Sequence, residues 1–574
     1  MKSSKILLRV SSVLLAVLIA LSAGACAKGG GQSDSSGSSE VIESSGSVDS
    51  SVPEQAVEPR VITCIGMDYT NASRPWRNVE SCWDWPAGKA FTEKLKELNI
   101  DLQYEFISTE QYSDTMKARM ASFMDIPDIT RAPGGTTDYM EYAKSGNFWN
   151  VTELLETHDG GANIMDFLKT NCPTTLSTIT DKNGNLWWFP YCYRVLNSTG
   201  SAFMLELRTD WMDALGIEFK NFYTLDELYD ILAAFREKDA NGNGVADEVL
   251  SFDPSGEWEP ISAGFGMGPK YIYALNDGKG VRAKIDHENF PDFIRYCQRL
   301  YQAGIFSTEI LNKDNQIESG NRASAIFNYN AQAWVDRAVV GYEDTAEYAG
   351  IVIDDDGGVN GYTLSARDNT DSCSMAWMIS KSAKEPQAIV DLMEYIYSTQ
   401  GYIDSYFGVE GVGLEWDEEY NLPQLIRSFN LMTEENVHEY GLFGVVFQNL
   451  IPAAYINDYG SLERDIKTSY VEGYDYKNTS MDVLADALTR VGKDVCWYNQ
   501  TQPLALPTDE ETKVIKDKSN ELSTYMHELF LDLILGNKSL DDLPAYREEL
   551  KNLGLDEMLE VYQARYDRYM AAQK

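Results

Sequence analysis

The stretch Asp239-Ala240-Asn241-Gly242-Asn243-Gly244-Val245-Ala246-Asp247-Glu248 decides how the rest of the chain is interpreted. Oxygen-bearing side chains occupy positions 1, 3, 5, 9 and 10 of this loop, and a glycine occupies position 6. Ca²⁺ takes about six to eight oxygen ligands, and an EF-hand loop supplies them at alternating positions around a glycine that makes the sharp turn. The spacing therefore predicts a calcium site, with a structural role because no neighbouring residue suggests an activated water.

The loop departs from the EF-hand pattern at its end. An EF-hand closes with a bidentate Glu at position 12, where this chain has Leu250. Glu248, at position 10, is the natural substitute. The alternative interpretation is a polar Asn-Gly turn that binds no metal, because such turns are rich in Asn, Asp and Gly for conformational reasons alone.

A helix is predicted immediately before the loop. Thr224 and Glu227 have the spacing of a capping box, in which each side chain bonds to the other residue's backbone N–H. Apolar residues then recur at helical spacing, at Leu225, Leu228, Ile231, Leu232 and Phe235. This helix is expected to lead directly into the metal loop.

The region after residue 59 alternates strand and helix patterns. Buried strands are predicted at Val61–Gly66 and at Asp101–Ile107, with helices at Ala90–Leu98 and Tyr112–Phe123. This order predicts an α/β domain with a parallel sheet. The segment Asp181–Pro190 has oxygens at three alternating positions, but it lacks the glycine at position 6 and is better interpreted as a hairpin turn at Asn183-Gly184.

Composition narrows the classes of partner. The 574-residue chain carries a net charge of −41, which argues against binding nucleic acid and against binding strongly acidic polymers. Its aromatic content of 12% includes 34 Tyr and 12 Trp, rings that stack on the apolar faces of sugars but that also fill protein cores. A neutral sugar is therefore one ligand class that the composition leaves open.

The N-terminus has the pattern of an exported protein. Residues 1–25 combine early positive charges with a short apolar stretch, which predicts a signal segment. Small residues precede Cys26 and resemble the lipobox of bacterial lipoproteins, although Ala23 stands where Leu is usual. Cleavage before Cys26 and diacylation of its sulfur are expected, and the alternative is an ordinary secretory peptide cut near Ala25. Residues 26–58 are Gly/Ser-rich and predict a flexible tether, and residues 59–574 are expected to fold.

Motifs for enzymatic chemistry are absent from the sequence. The four histidines are scattered, and neither a nucleophile elbow nor a phosphate-binding loop is present. Eight cysteines include no Cys-x-x-Cys pair, and without Cys26 an odd number remains, so one or two disulfides are compatible with the sequence. A glycosidase needs two carboxylates facing one bond, and 89 acidic residues neither support nor exclude such a pair. We expect a protein that is not an enzyme.

Several strings together resemble one protein family. They include Arg208-Thr209-Asp210-Trp211, the Asp239–Glu248 loop, Gly408-Val409-Glu410-Gly411-Val412 and Gln563-Ala564-Arg565-Tyr566-Asp567-Arg568. These strings are similar to those of family 1 extracellular solute-binding lipoproteins of bacterial ABC importers, of the long type to which alginate-oligosaccharide-binding proteins belong. The resemblance runs from about residue 61 to residue 568. It implies calcium ligands at Asp239, Asn241, Asn243, Val245 (through its carbonyl), Asp247 and Glu248.

The resemblance implies a two-lobed, type II periplasmic-binding-protein-like fold, with lobes interleaved in sequence around a hinge and a helix-rich C-terminal part. The expected function is capture of an oligosaccharide between the lobes and delivery to ABC permease subunits, by a monomer that is lipid-anchored on the extracytoplasmic face of the cell membrane. The alternatives are a cell-surface glycoside-active enzyme and a sugar-binding adhesion module. Candidate stacking residues are Trp76, Trp85, Trp258, Trp334 and Trp377, each with a place in the core as its alternative, and candidate hydroxyl ligands are Asp84, Glu257 and Glu410.

Overall fold

A computed structural model describes residues 58–68, 81–195, 202–250, 252–257, 260–275, 278–311, 322–329, 348–353, 376–404, 409–412, 414–418, 422–425, 454–457 and 504–572. Its strands are β1 Arg60–Asp68, β2 Ile100–Ser108, β3 Ile129–Arg131, β4 Phe189–Pro190, β5 Cys192–Val195, β6 Ala202–Arg208, β7 Phe222–Tyr223, β8 Val249–Leu250, β9 Ile272–Ala274, β10 Val281–Ala283, β11 Arg322–Tyr329, β12 Tyr348–Ile353, β13 Ala376–Ile379, β14 Leu414–Asp417, β15 Leu422–Leu425 and β16 Ala454–Asn457.

The helices alternate with these strands in the first half of the chain and dominate its C-terminal part. They are α1 Pro86–Glu97, α2 Thr109–Ser122, α3 Thr136–Ala143, α4 Val151–Thr157, α5 Gly161–Asn171, α6 Pro173–Ile179, α7 Thr209–Leu215, α8 Leu225–Glu237, α9 Phe290–Gln302, α10 Pro386–Ile396, α11 Thr399–Tyr402, α12 Asp509–Leu535, α13 Leu543–Asn552 and α14 Leu555–Ala572. None of the described helices is both long enough and apolar enough to cross a membrane.

The first sheet has the strand order β2-β1-β3-β13-β4. Strands β1, β2 and β3 are parallel, as the β-α-β pattern of the sequence predicts, and β13 runs antiparallel between β3 and β4. The carboxyl ends of β1, β2, β3 and β4 therefore lie at one edge of the sheet, together with the amino end of β13. The predicted turn at Asn183-Gly184 is also present, closed by an antiparallel bridge between Thr180 and Leu186.

The second sheet has the order β7-β12-β6-β11-β8. Strand β6 runs antiparallel to both β11 and β12, whereas β7 is parallel to β12 and β8 is parallel to β11. The carboxyl ends of β7, β8, β11 and β12 therefore lie at one edge of this sheet. The amino end of β6 lies at the same edge, because Ala202 pairs with Tyr329, the last residue of β11.

Each sheet has its own hydrophobic core. The first core draws on residues between Ile62 and Cys192 and between Ala376 and Leu414, with Leu506 added from the C-terminal part. The second core draws on residues between Leu205 and Ile353 and on helices α12 to α14. The chain thus has a two-lobed α/β architecture with a helix-rich C-terminal part, and the elements of the two lobes are interleaved along the sequence.

The two lobes also contact one another through charged side chains. Lys144 donates to Asp509 at 2.6 Å, and Lys516 on α12 pairs with Glu141 on α3. Helix α14 contacts α6 of the first lobe and β10 of the second. These contacts place the start of α12 and the end of the chain at the junction between the lobes.

A disulfide joins two elements of the first lobe. Cys172, between α5 and α6, bonds to Cys192 at the start of β5, and their Cα atoms are 6.2 Å apart. This pair lies within the range of one or two disulfides that the cysteine count allows. Two further cysteines, Cys64 and Cys297, are buried.

Helix α2 is capped at its C-terminal end by Phe123, whose backbone conformation is unfavourable for any residue with a Cβ atom. Phe123 has φ of 52°, in the left-handed region, and its ring is 43% exposed. Glycine is the usual residue at this helix position because it has no Cβ to clash there. A Phe123→Gly variant is therefore expected to raise the free energy of unfolding by about 1 kcal/mol in a denaturant titration.

Phe123→Ala is the matched control for this prediction, because alanine removes the ring but keeps the Cβ that causes the clash. The account of α2 is wrong if the alanine variant is as stable as the glycine variant.

Candidate functional site

The predicted helix before the metal loop is confirmed. Helix α8 begins after Thr224, whose hydroxyl accepts from the N–H of Glu227 at 3.1 Å, and the Glu227 carboxylate accepts from the N–H of Thr224 at 3.0 Å. The helix buries the apolar stripe that the spacing predicts, at Leu225, Leu228, Ile231, Leu232 and Phe235. Because this stripe anchors α8 in the second core, the loop that follows has a fixed starting point.

The loop after α8 folds around its own oxygen atoms. Asp239 accepts from the backbone N–H groups of Asn243 and Gly244, at 3.0 and 2.8 Å. The side-chain amides of Asn241 and Asn243 both donate to the Asp247 carboxylate, at 3.0 to 3.1 Å. The side-chain oxygens of Asn241 and Asn243 accept from the backbone N–H groups of Asn243 and Val245, at 3.0 and 2.7 Å.

Glu248 gives this loop an unusual feature for a protein interior. Its side chain is 0% exposed. One carboxylate oxygen, Oε1, accepts from the N–H of Asn241 at 3.1 Å, whereas Oε2 is buried with no hydrogen-bond partner among the described residues. A buried carboxylate is costly unless it is paired or coordinates a metal. The donor set is the kind that Ca²⁺ prefers.

Acidic and histidine side chains alone do not complete a metal site. Among the described residues, no group of three or more His, Cys, Asp or Glu side chains is arranged to hold a metal ion. Any calcium bound here needs the Asn oxygens and a backbone carbonyl as well, which matches the ligand set that the resemblance implies.

The second candidate region lies at the carboxyl edges of the two sheets. In open α/β sheets, ligands bind in the crevice outside the carboxyl ends of the strands. The first lobe places Asp84 and Trp85 there, because they immediately precede α1, the helix that crosses over from β1 to β2. Trp377 of β13 lies at the same edge, because it pairs with Arg131, the last residue of β3.

The predicted tryptophans have different surroundings. Trp85 and Trp377 are both 0% exposed and belong to the first core, so their rings present no face to solvent in this structure. Trp76, Trp258 and Trp334 lie outside the described residues. Of the predicted acids, Asp84 is exposed, and Glu410 is exposed in a turn where it forms a bridge to Leu414.

Glu257 lies in the second lobe, in the loop that follows the carboxyl end of β8, and it is exposed. Its charge acts on two partly buried neighbours that sequence reasoning missed. Burial lowers the pKa of Lys270, and Glu257 opposes that effect. Burial raises the pKa of Tyr562, and Glu257 adds to that effect.

Tyr562 and Arg565 lie on α14 at the junction between the lobes. The guanidinium of Arg565 is 5.5 Å from the Tyr562 ring, and its Nε donates to the carbonyl of Ala505 at 2.8 Å. Burial lowers the pKa of Arg565. The string Gln563–Arg568, which carries part of the family resemblance, is the sequence signal that points to this helix. The charge of Glu257 therefore acts on both Lys270 and Tyr562.

Asp253 fixes the loop that carries Glu257. It accepts from the N–H and the hydroxyl of Ser255, at 2.8 and 2.5 Å, and it lies 3.2 Å from Nε2 of His527 on α12. Burial acts to raise the pKa of Asp253, but the hydrogen bonds from His527 and Ser255 outweigh it, so this pKa is lowered. The hydrogen bond to Asp253 in turn raises the pKa of His527 above 6.5.

A His527→Gln variant is expected to lose about 0.5–1 kcal/mol of stability at low pH, because the partly exposed ion pair is screened by solvent. The pKa of His527 is raised in the folded protein, so its contribution is complete below 6.5 and is lost as pH rises through the raised value. Denaturant unfolding from about pH 5.5 to about pH 8.5 measures this difference. In an Asp253→Asn background the difference should vanish, and a pH-independent loss would refute the pairing.

No protein-family model matches the chain. Two curated relatives span most of it. The fructooligosaccharide ABC transporter substrate-binding protein FusA of Streptococcus pneumoniae serotype 4 is 22% identical over 516 residues, covering 85% of this chain and 88% of FusA. The polygalacturonan/rhamnogalacturonan-binding protein YtcQ of Bacillus subtilis strain 168 is 23% identical over 400 residues, covering 67% of this chain and 70% of YtcQ.

Solved structures share the fold. The alginate-binding protein AlgQ2 without calcium ion superimposes with a TM-score of 0.60 at 19% identity, covering 89% of this chain and 99% of AlgQ2. An EF-hand mutant of the S. pneumoniae protein FusA, in complex with fructo-nystose, gives a TM-score of 0.63 at 18% identity and covers 89% and 99% of the two chains.

These similarities identify the chain as a homologue of ABC transporter substrate-binding proteins with a two-lobed fold. They confirm the family resemblance and the predicted fold class. The relatives are binding proteins and not enzymes, which also confirms that expectation.

Proposed function

We propose that this protein is the carbohydrate-capturing subunit of a bacterial ABC importer. Its homologues over most of the chain are substrate-binding proteins whose names specify fructooligosaccharide and polygalacturonan ligands. The observation that carries the proposal is the pair of α/β sheets, in each of which four strands end at one edge, the place where ligands bind in open α/β sheets. Binding followed by closure of the lobes then delivers the sugar to permease subunits.

The proposed ligand contacts come mainly from loops at these edges. Glu257 accepts hydrogen bonds from sugar hydroxyls, and the half-buried ring of Tyr562, on which the Glu257 charge acts, is the proposed stacking face. From the first lobe, Asp84 contributes a second exposed carboxylate. Trp76, Trp258, Trp334 and Glu410 remain proposed contacts from the sequence. Trp85 and Trp377 are assigned to the core.

Thermal unfolding of the purified protein with candidate sugars tests this function. Kestose, nystose, oligogalacturonides and alginate oligosaccharides sample the neutral and acidic ligands of the relatives. A captured sugar raises the melting temperature because it binds only the folded state, and the gain grows with its concentration. The proposal fails if no oligosaccharide raises the melting temperature, or if the stabilising sugar is cleaved.

Two variants localise that effect. Glu257→Gln should weaken the binding of the stabilising sugar by roughly 10-fold, which corresponds to the loss of a hydrogen bond to a charged group. Glu288→Gln, which changes an exposed carboxylate elsewhere in the same lobe, should leave the affinity unchanged. Equal effects in the two variants would place the ligand away from Glu257.

The second part of the proposal is a structural Ca²⁺ in the loop after α8. Its ligands are Asp239, Asn241, Asn243, the carbonyl of Val245, Asp247 and Glu248. The Oε2 atom of Glu248, which is buried and has no hydrogen-bond partner in the described part of the chain, supports a cation at this place. The ion holds the end of α8 and the start of β8 together in the second lobe, and it takes no part in sugar binding.

The third part concerns the membrane. Cys26 is proposed to carry the lipid anchor, and residues 26–58 the flexible tether that lets the binding lobes reach the permease from the extracytoplasmic face. Two acyl chains are sufficient for stable anchoring. Metabolic labelling with an alkyne fatty acid tests this directly: the label should be lost in a Cys26→Ala variant, and a label that persists would exclude this anchor.

A further inference from the structure

A cavity of about 670 Å³ lies in the first lobe. It lies between α1 and β2, and β2 is the edge strand of the first sheet among the described residues. The cavity reaches the amino end of β2, where it is lined by Asn99 and Ile100. Trp83, which adjoins Asp84, and Phe106 line its other end, but none of the proposed sugar contacts Asp84, Glu257 and Tyr562 is among the lining residues.

Three aromatic side chains form the cavity wall: Trp83, Tyr104 and Phe106. Tyr104 and Phe106 project from the same face of β2, with ring centroids 5.6 Å apart and planes within 9° of parallel. The Trp83 ring is 5.4 Å from the Tyr104 ring. All three residues are half-buried.

Two hydrogen-bond acceptors lie at the rim of the same cavity. Asn99 donates its amide N–H to the carbonyl of Glu58 at 3.1 Å and keeps its own carbonyl oxygen without a partner among the described residues. Asp101 accepts from Gln103 at its Oδ2 atom, at 2.8 Å, and its Oδ1 atom likewise has no described partner. Lys96, also at the rim, is paired with Glu93.

We propose that this cavity is a second saccharide-binding site, for a short uncharged sugar of one or two rings. A sugar combines apolar C–H faces with hydroxyl donors, and the cavity combines aromatic faces with open acceptors. Its volume falls within the range of about 300–1,000 Å³ that is typical of small-molecule sites. The pairing of Lys96 leaves no unmatched positive charge that would select an acidic ligand.

A label on Trp83 tests whether a sugar binds in this cavity. In protein labelled with 5-fluorotryptophan, the Trp83 fluorine signal is assigned by its absence from a Trp83→Phe variant. Sucrose, maltose and cellobiose are the probes, with phenol as an apolar comparison. At least one disaccharide should shift the Trp83 signal saturably. The proposal is overturned if no disaccharide shifts it, or if phenol alone does.

Variants at the rim complete the test without disturbing the core. Asp101→Ala should lower the affinity for the disaccharide that shifts the Trp83 signal. The expected loss is roughly 10-fold, because a hydrogen bond to a carboxylate is lost. Asp114→Ala, at an exposed position on α2, is the matched control and should change nothing. An unchanged affinity in Asp101→Ala would also overturn the proposal. Glu257→Gln should not affect this signal, so failure here and failure of the interlobe site are distinguishable.

Discussion

A Glu248→Gln variant is expected to have the same free energy of unfolding with and without calcium. The unaltered protein, in contrast, should gain about 2.7 kcal/mol when free Ca²⁺ is at about one hundred times its dissociation constant. Glu248 is the fully buried carboxylate of the loop, and its Oε2 atom has no described partner. The glutamine keeps the volume and the hydrogen-bond acceptor but removes the negative charge that a hard cation needs.

The measurement is denaturant unfolding in EGTA and in millimolar calcium. Glu237→Gln, at an exposed position at the end of α8, is the control and should keep the full calcium response. The calcium assignment is wrong if EGTA leaves the stability of the unaltered protein unchanged, because the loop would then be the polar Asn-Gly turn that the sequence also allowed.

A Trp377→Ala variant is expected to lose about 3–5 kcal/mol of stability, the usual cost of removing a large aromatic side chain from a core. Trp377 is 0% exposed on β13, between Arg131 of β3 and Phe189 of β4. Trp416→Ala is the comparison, because that ring is 41% exposed and its loss should cost less than about 1 kcal/mol.

The outcome also separates the two roles that the sequence left open for this tryptophan. If Trp377 is a core residue, its replacement by alanine lowers the free energy of unfolding even in the absence of any sugar. If Trp377→Ala unfolds like the unaltered protein and loses only sugar affinity, Trp377 is a ligand contact that the lobes cover, and its assignment to the core is wrong.

Local patterns predicted the elements of this fold well. The capping box at Thr224 and the apolar spacing to Phe235 are properties of one helix, so the structure reproduces them residue by residue. The β-α-β order likewise predicted the parallel pairing of β1 with β2, because a crossover helix leaves few other arrangements.

Burial of single aromatic rings was not predictable in the same way. A tryptophan has the same chemistry in a core and in a sugar site, and only the packing of distant segments separates the two roles. Trp85 and Trp377 are nearly three hundred residues apart in the chain, and both enter the first core. No local pattern around either residue contains that information.

The residues that sequence reasoning missed share this non-local character. Asp253 and His527 form a pair between a loop of the second lobe and a C-terminal helix. Tyr562 reaches the surroundings of Glu257 only because α14 packs against β10, where Gln563 accepts from the N–H of Val281. Pairs of this kind need the tertiary structure.

Isothermal titration of the purified protein with the stabilising oligosaccharide, followed by chromatography of the recovered sugar, tests the central claim most directly. Capture for transport predicts saturable binding that Glu257→Gln weakens and Glu288→Gln does not, with the sugar recovered intact. A sugar recovered as shorter products, or a titration in which no oligosaccharide binds, would contradict the assignment of this protein as a transport receptor.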